Sequence, residues 1–182
     1  MKATVYIATS VDGFIARENG SVDWLPTGED SDSEDYGYQD FMNSIDALVM
    51  GRNTYELVLS FGSWPYGNKP VVVLSSQLLE IPDSISNTVS VMSAPPSNVI
   101  QHLAEQGYEH LYIDGGKTIQ GFISEGLIQE LIITKVPILI GSGIPLFGAL
   151  PHDIRLHHLE TIQFDNGLVQ SKYEILGNNV EQ

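Results

Sequence analysis

Two stretches of the chain combine glycine, a hydroxyl and a positive charge: Met50-Gly51-Arg52-Asn53-Thr54 and Asp114-Gly115-Gly116-Lys117-Thr118. Each follows a short apolar run and opens a segment that reads as helix. A helix start leaves N–H groups without intrahelical partners, and the helix dipole adds to their pull on anions. Glycine lets a phosphate approach that backbone, and Thr54 and Thr118 can add hydroxyl donors. A cation at a helix start opposes the dipole and costs about 0.3–1 kcal/mol. The chain has only 8 Lys plus Arg, yet Arg52 and Lys117 stand at these two equivalent places. That breach of a local rule points to a bound anion that offsets it. The alternative is a pair of solvated cations that happen to fall there. Leu74-Ser75-Ser76 ends a third apolar run and can add hydroxyls for a phosphate or ribose, although alone it is an ordinary turn. Two separated phosphate-binding helix starts suit a dinucleotide better than a single phosphate.

Other chemistries are excluded or fit poorly. Gly116-Lys117-Thr118 resembles the end of a P-loop, but Leu111 stands where its first glycine belongs. Gly141-Ser142-Gly143-Ile144-Pro145-Leu146 lacks the third glycine of the dinucleotide fingerprint, and no G-x-S-x-G elbow occurs. Asp30-x-Asp32-x-Glu34 begins like a calcium loop, yet Asp35 replaces the required glycine and Phe41 the bidentate Glu. A solvated acidic loop is the expectation there. None of the five histidines forms an H-x-x-x-H pair on a helical segment, so no metal site is expected. The absence of cysteine removes disulfides, thiolate catalysis and Cys-ligated metals. A net charge of −15 opposes nucleic acid and anionic membranes as partners. No apolar run reaches the roughly 18 residues of a membrane span, and the N-terminus turns polar too soon for a signal peptide. The expectation is a soluble cytoplasmic protein.

The elements that must carry the two junctions are legible from patterning. Residues 3–9, 46–51, 70–76, 88–93 and 110–115 read as strands, several of them almost wholly apolar, as strands covered on both faces should be. Residues 129–141 form a longer apolar run interrupted at Pro137. Residues 154–164 and 168–176 flank Asp165-Asn166-Gly167, which reads as a hairpin turn. Helical segments lie between, at 36–45, 52–59, 97–106 and 118–125, the first behind a capping box Ser31-x-x-Glu34. Alternation of strand and helix implies right-handed crossovers. The expected fold is a three-layer α/β domain over residues 1–176, with a mostly parallel mixed sheet of about eight strands and an antiparallel C-terminal hairpin. Residues 17–35 read as the flexible stretch and 177–182 as a frayed tail. Ligands of such sheets sit at the carboxyl ends of the strands, where both junctions fall.

At these residues the chain resembles the dihydrofolate reductase-like superfamily. It is most similar to the reductase domain of the bifunctional riboflavin-biosynthesis deaminase–reductase and its stand-alone relatives. The resemblance rests on Ser10 to Ala16, Met50 to Glu56, Val73 to Ser76, Asp114-Gly115-Gly116 and Gly126 to Leu131 running into Pro137 to Phe147, in the family's order. It implies NADPH lying across the strand ends. Gly51, Arg52, Asn53 and Thr54 with Gly115, Gly116, Lys117, Thr118 and Ile119 would hold the pyrophosphate. Arg52, Ser76 and Lys117, beside Leu74 and Ser75, would face the adenosine ribose and its 2′-phosphate. Ala8 and Ile15 would flank the nicotinamide, and the Gly115–Gly116 peptide can be cis in this superfamily. A homodimer is implied as well, with Ile138, Ile140, Ile144 and Leu146 as candidates for its interface or for core packing. No deaminase half is expected, because the sequence has no cysteine and no H-x-E with P-C-x-x-C.

The same resemblance leaves the chemistry of proton delivery open. Asp12 could order a water or substrate hydroxyls, or could simply form its turn. Asp35 matches the pterin-holding acid of the folate branch when counted without gaps, whereas alignment through Phe41 lands near Gly37; Asp40 is another acid nearby. Trp24 and Tyr36 would cover the acceptor. The implied reaction is reduction of a small C=N or C=O compound of the 5-amino-6-(5-phosphoribosylamino)uracil type. A folate or pterin reductase, which requires a buried acid near residue 35, and a non-catalytic nucleotide-binding protein are the alternatives.

Overall fold

The computed structural model describes residues 1–26 and 35–177. The Ser31-x-x-Glu34 capping box, the Asp30-x-Asp32-x-Glu34 acids and the tail beyond Gly177 lie outside the described residues. Ten strands are present among them: β1 Lys2–Ser10, β2 Phe14–Ala16, β3 Ala47–Gly51, β4 Val71–Leu74, β5 Val89–Met92, β6 His110–Asp114, β7 Glu130–Val136, β8 Ile144–Pro145, β9 Leu156–Gln163 and β10 Val169–Ile175. Four α-helices join them: α1 Tyr38–Ser44, α2 Arg52–Ser60, α3 Pro96–Glu105 and α4 Gly116–Ser124. The main sheet has eight strands in the order β5-β4-β3-β6-β1-β7-β10-β9. Its first six are parallel, and β10 and β9 run antiparallel at one edge.

This is the mixed α/β sheet that the alternating pattern implies, and its layers follow from strand periodicity. Successive side chains of a strand point to opposite faces. Val5, Val49, Leu111 and Ile113 therefore meet Val99 and Leu103 of α3 and Ile119 and Phe122 of α4 on one face. Leu48, Met50, Tyr112 and Ile132 meet Phe41 and Met42 of α1 and Tyr55 and Val58 of α2 on the other. Strands covered on both faces carry the unbroken apolar runs that mark them in the sequence.

The departures have local causes. The apolar run 129–141 stops as a strand at Val136, because Pro137 has no N–H for the ladder. Beyond it the chain folds back as a loop, with Val11 N donating to Ile138 O at 2.9 Å. Helix α1 starts at Tyr38 behind Gly37, which is left-handed (φ 78°). The short ribbon β2–β8 has too few residues to carry a periodic signal. Within residues 17–35, the described part is folded onto the protein: Arg17 Nε donates to Asp23 Oδ1 at 2.6 Å, and Trp24 is buried. The closing turn is held by Gly167 N donating to Phe164 O at 2.9 Å, with Gly167 at φ 86°.

Phe122 is fully buried in the cluster under α3 and α4. Phe122→Ala should lower unfolding stability by about 3–5 kcal/mol, read as a reduced midpoint in urea denaturation with the slope unchanged.

Candidate functional site

Strands β3 and β6 pair in parallel with Met50 opposite Asp114. The next residue of each, Gly51 and Gly115, ends its strand beside the other, so α2 and α4 start side by side. The two starts interlock. Thr118 Oγ1 lies 2.9 Å from where a Cβ on Gly51 would stand, and Thr54 Oγ1 lies 2.5 Å from where one on Gly115 would stand. A side chain at either position would collide with the hydroxyl of the opposite helix. Gly115 also sits at φ 93°, which L residues rarely adopt. Neither helix has a side-chain cap at its N-terminus. Free amides, two threonine hydroxyls and glycine surfaces thus converge on one cradle.

The cations stand at its rim. Arg52 reaches toward the exit of β4, where its Nη1 donates to Gln77 Oε1 at 2.5 Å, and its Nε lies 3.9 Å from Glu56. Lys117 is exposed on the first turn of α4 and makes no ion pair among the described residues. Ser75 Oγ closes a local turn by accepting from Gln77 N at 3.0 Å, Ser76 and Asn53 are exposed, and Leu74 is half-buried. Ile119 belongs to the core rather than the cradle. Its side chain is fully buried, and its N–H donates to Gly115 O at 2.8 Å. The Gly115–Gly116 peptide is trans, as are all described peptide bonds. The reversal is made instead by the positive φ of Gly115.

A roof leans on this cradle. A Cβ on Gly116 would lie 3.1 Å from Ile15 Cδ1 and 3.2 Å from Ile144 Cγ2, so the β2–β8 ribbon rests directly over the α4 start. Gln120 of α4 ties the ribbon down by donating to Pro145 O at 3.0 Å. Ala8 lies on the other side, in a cluster with Trp24, Tyr36, Val136, Ile138, Ile140 and Leu168. Ile138 and Ile140 therefore pack inside the chain, as does Leu146, which is 1% exposed. The Trp24 indole N–H is buried without an acceptor among the described residues. Tyr36 is held in the left-handed region (φ 56°), its carbonyl accepting from Tyr6 Oη at 2.8 Å and Gln170 Nε2 at 3.1 Å.

The acids divide by environment. Asp35 is exposed, and its carboxylate accepts from Gly37 N at 2.9 Å and Gln39 N at 3.0 Å. These bonds cap α1 and hold its pKa below the usual carboxylate value. It is not the buried acid that a pterin site requires, and Asp40 is exposed as well. Asp12 accepts from Gly141 N at 2.8 Å and Ile140 N at 3.3 Å. Its pKa is lowered, first by the Ser10 hydroxyl and then by those amides. An acid so stabilised in its charged form is a poor proton donor. Arg17 pairs with Asp23, and Lys69 donates to Ile45 O at 2.5 Å behind α1.

Asp114 differs. It ends β6, half-buried, on the face that carries Tyr112, Tyr38 and Tyr66. Burial raises its pKa to about 6, against a smaller opposing effect from the Gly115 N–H, which donates to it at 2.8 Å. Burial, followed by the nearby Asp114 charge, also raises Tyr38 to about 12 and pushes Tyr66 and Tyr112 up. In the sequence Asp114 stands only as the residue before the two glycines of its motif. The missed signal is strand alternation, which puts it on the same face as Tyr112 and beside β1.

The model of the RibD C-terminal domain matches residues 2–170. The chain belongs to that family. It is 40% identical to a solved structure of a putative riboflavin biosynthesis protein from Shewanella sp. PV-4, with a TM-score of 0.87 over 97% of this chain and 99% of that one. It is 36% identical to the uncharacterized protein YwjB of Bacillus subtilis, over 90% of this chain and 92% of the relative. It is 27% identical to the riboflavin biosynthesis protein RibD of Corynebacterium ammoniagenes, matching 78% of this chain but 44% of that longer protein. Among the described residues no helix is long and apolar enough to cross a membrane.

The raised Asp114 pKa has a sign that stability measurements can read. The neutral acid is favoured in the fold, so its burial costs nothing below the unfolded value of 3.8. The cost grows as pH rises and is complete above about 6. Asp114→Asn should flatten the stability–pH curve across that interval by up to about 3 kcal/mol relative to the parent, measured by urea denaturation at stepped pH.

Proposed function

We propose that this chain is an NADPH-dependent reductase of a small C=N or C=O substrate, of the 5-amino-6-(5-phosphoribosylamino)uracil reductase type. The observation that carries the reading is the pair of adjacent, uncapped helix starts opened by Gly51 and Gly115, with scarce cations at the rim. Their glycine surfaces and free amides suit a pyrophosphate, and Arg52 with Ser75, Ser76 and Gln77 suits a 2′-phosphate. The names of the Shewanella and Corynebacterium relatives point those proteins to riboflavin biosynthesis and support the same direction. Bound NADPH supplies a hydride.

The chain's own residues do the rest. Gly51 to Thr54 and Gly115 to Thr118 fix the diphosphate. Ala8 and Ile15 form walls for a flat, weakly polar ring and exclude water from it. Trp24 and Tyr36 cover the acceptor side, where the Trp24 indole N–H, without an acceptor among the described residues, can donate to a substrate oxygen. Reduction of C=N or C=O places a hydride on carbon and a proton on nitrogen or oxygen. Asp114, whose pKa is raised to about 6, is among the described acids the one whose surroundings favour the protonated form, and it is the candidate for supplying that proton. The folate reading loses its requirement, because Asp35 is exposed and spent on capping α1.

The test is calorimetric titration with NADPH and NADH, joined to turnover of the ribosylaminopyrimidine phosphate. NADPH should bind more tightly than NADH, and Arg52→Ala and Lys117→Ala should each weaken NADPH about tenfold. Asp114→Asn should keep NADPH binding but lower kcat by about 100-fold or more. If neither cation matters, the placement of the phosphates is wrong. Tight NADPH binding with no turnover would mark a nucleotide-binding protein without the reaction.

A further inference from the structure

Asp12 is exposed at the tip of the turn after β1, yet its carboxylate is fully engaged inside the chain. Oδ2 accepts from Gly141 N at 2.8 Å and Oδ1 from Ile140 N at 3.3 Å, across 128 and 129 residues of sequence. The loop it grips, 137–143, has no ladder of its own, because Pro137 ended β7. Its remaining ties to β1 and the turn are Val11 N to Ile138 O at 2.9 Å and, beyond β8, Leu146 N to Gly13 O at 3.0 Å. Between these ties the loop carries Gly143 directly against the Ala16 carbonyl, at a distance no side chain would tolerate. The same loop leads into Ile144, which with Ile15 forms the roof over Gly116. Ser10 Oγ completes the turn, accepting from Phe14 N at 3.0 Å.

From this geometry we propose that Asp12 is a positioning residue for the cofactor: it clamps the 137–143 loop so that Ile15 and Ile144 cover the start of α4. It does not transfer the proton. A carboxylate is suited to this task because its two oxygens can accept from two successive amides at once, and both bonds strengthen with its charge. An amide side chain offers one acceptor oxygen without the charge. Alanine offers none. Without the clamp the ribbon keeps its own pairing but loses its fixed height over the α4 start, so the wall supplied by Ile15 becomes mobile. A wall displaced by an ångström costs alignment between donor and acceptor more than it costs binding. The inference rests on the reading of the two helix starts as an NADPH cradle.

Three measurements on the full chain test it. Amide exchange of residues 138–146 should accelerate in Asp12→Ala while the core strands keep their protection. NADPH dissociation constants should rise about tenfold in Asp12→Ala and less in Asp12→Asn, the order set by acceptors retained. Turnover should fall further than affinity, with kcat lowered about 100-fold in Asp12→Ala, and the pH profile of kcat should keep the parent's shape. Loss of a pH limb in Asp12→Asn would overturn the proposal by making Asp12 the proton carrier. Unchanged exchange at 138–146, or unchanged NADPH affinity and kcat, would overturn it by leaving the clamp without effect. If the parent itself fails to bind NADPH, the reading of the cradle fails, and accelerated exchange at 138–146 in Asp12→Ala still reports on the clamp.

Discussion

The parallel pairing of β3 with β6 governs everything functional in this molecule. Met50 opposite Asp114 fixes the register, and register fixes which residues leave the sheet together. A slip of one residue would turn every side chain of one strand to the opposite face. It would also carry Gly51 away from Gly115 and leave each threonine facing a Cβ. The two helix starts form a single cradle only because both strands end at the same level. The register in turn is held by the apolar alternation on both faces, Leu48 and Met50 on one and Val49, Leu111 and Ile113 on the other. Core packing and ligand geometry are therefore one constraint read at two ends of the same strands.

Charge works against this site globally and for it locally. The chain carries −15, and the ligand proposed for the cradle is itself an anion. At physiological ionic strength exposed charges beyond about 8 Å are largely screened, so the distant carboxylates weigh little beside the amides and cations in contact. The local acids are also kept out of the way. Asp12 and Asp35 are bonded to backbone amides, and Asp114 is pushed toward its neutral form by burial. Arg52 and Lys117, unfavourable for their own helices, are the positive charges left at the rim. Such an arrangement is the one that the proposed anion-binding reading expects.

Much of this was legible in the sequence, and the illegible part has a common cause. Strands buried on both faces announce themselves as continuous apolar runs, so β3, β4, β6 and the order of the helices could be read directly. The hairpin turn at Asp165-Asn166-Gly167 could be read from its chemistry. Glycine, hydroxyl and cation at two strand exits located the cradle because each type has a local reason to stand there. The roof was not readable. Ribbon β2–β8 joins residues 14–16 to 144–145, and nothing within either short segment encodes the other. Asp12, Asp35 and Asp114 read alike as acids near turns. Their differences come from Gly141, from the start of α1 and from the tyrosine face of the sheet, all of which are set by the fold.

That contrast separates two tasks that sequence motifs blur. The turn Ser10-Val11-Asp12-Gly13 lies at the site, and a carboxylate there invites a catalytic role. Its bonding places it in the scaffold: both oxygens are occupied by amides, and the charge is stabilised rather than poised. Asp114 lies one residue from the cradle glycine and has the opposite character, a single backbone bond and a proton held toward neutrality. Two carboxyls of one chain are thus driven apart in acidity by environment alone. The one that fastens the loop needs its charge to grip backbone amides. The one at the end of β6 lies where burial favours its proton. Exchanging their surroundings would deprive each of its role, so the division follows from burial and hydrogen bonding rather than from the residue type that both share.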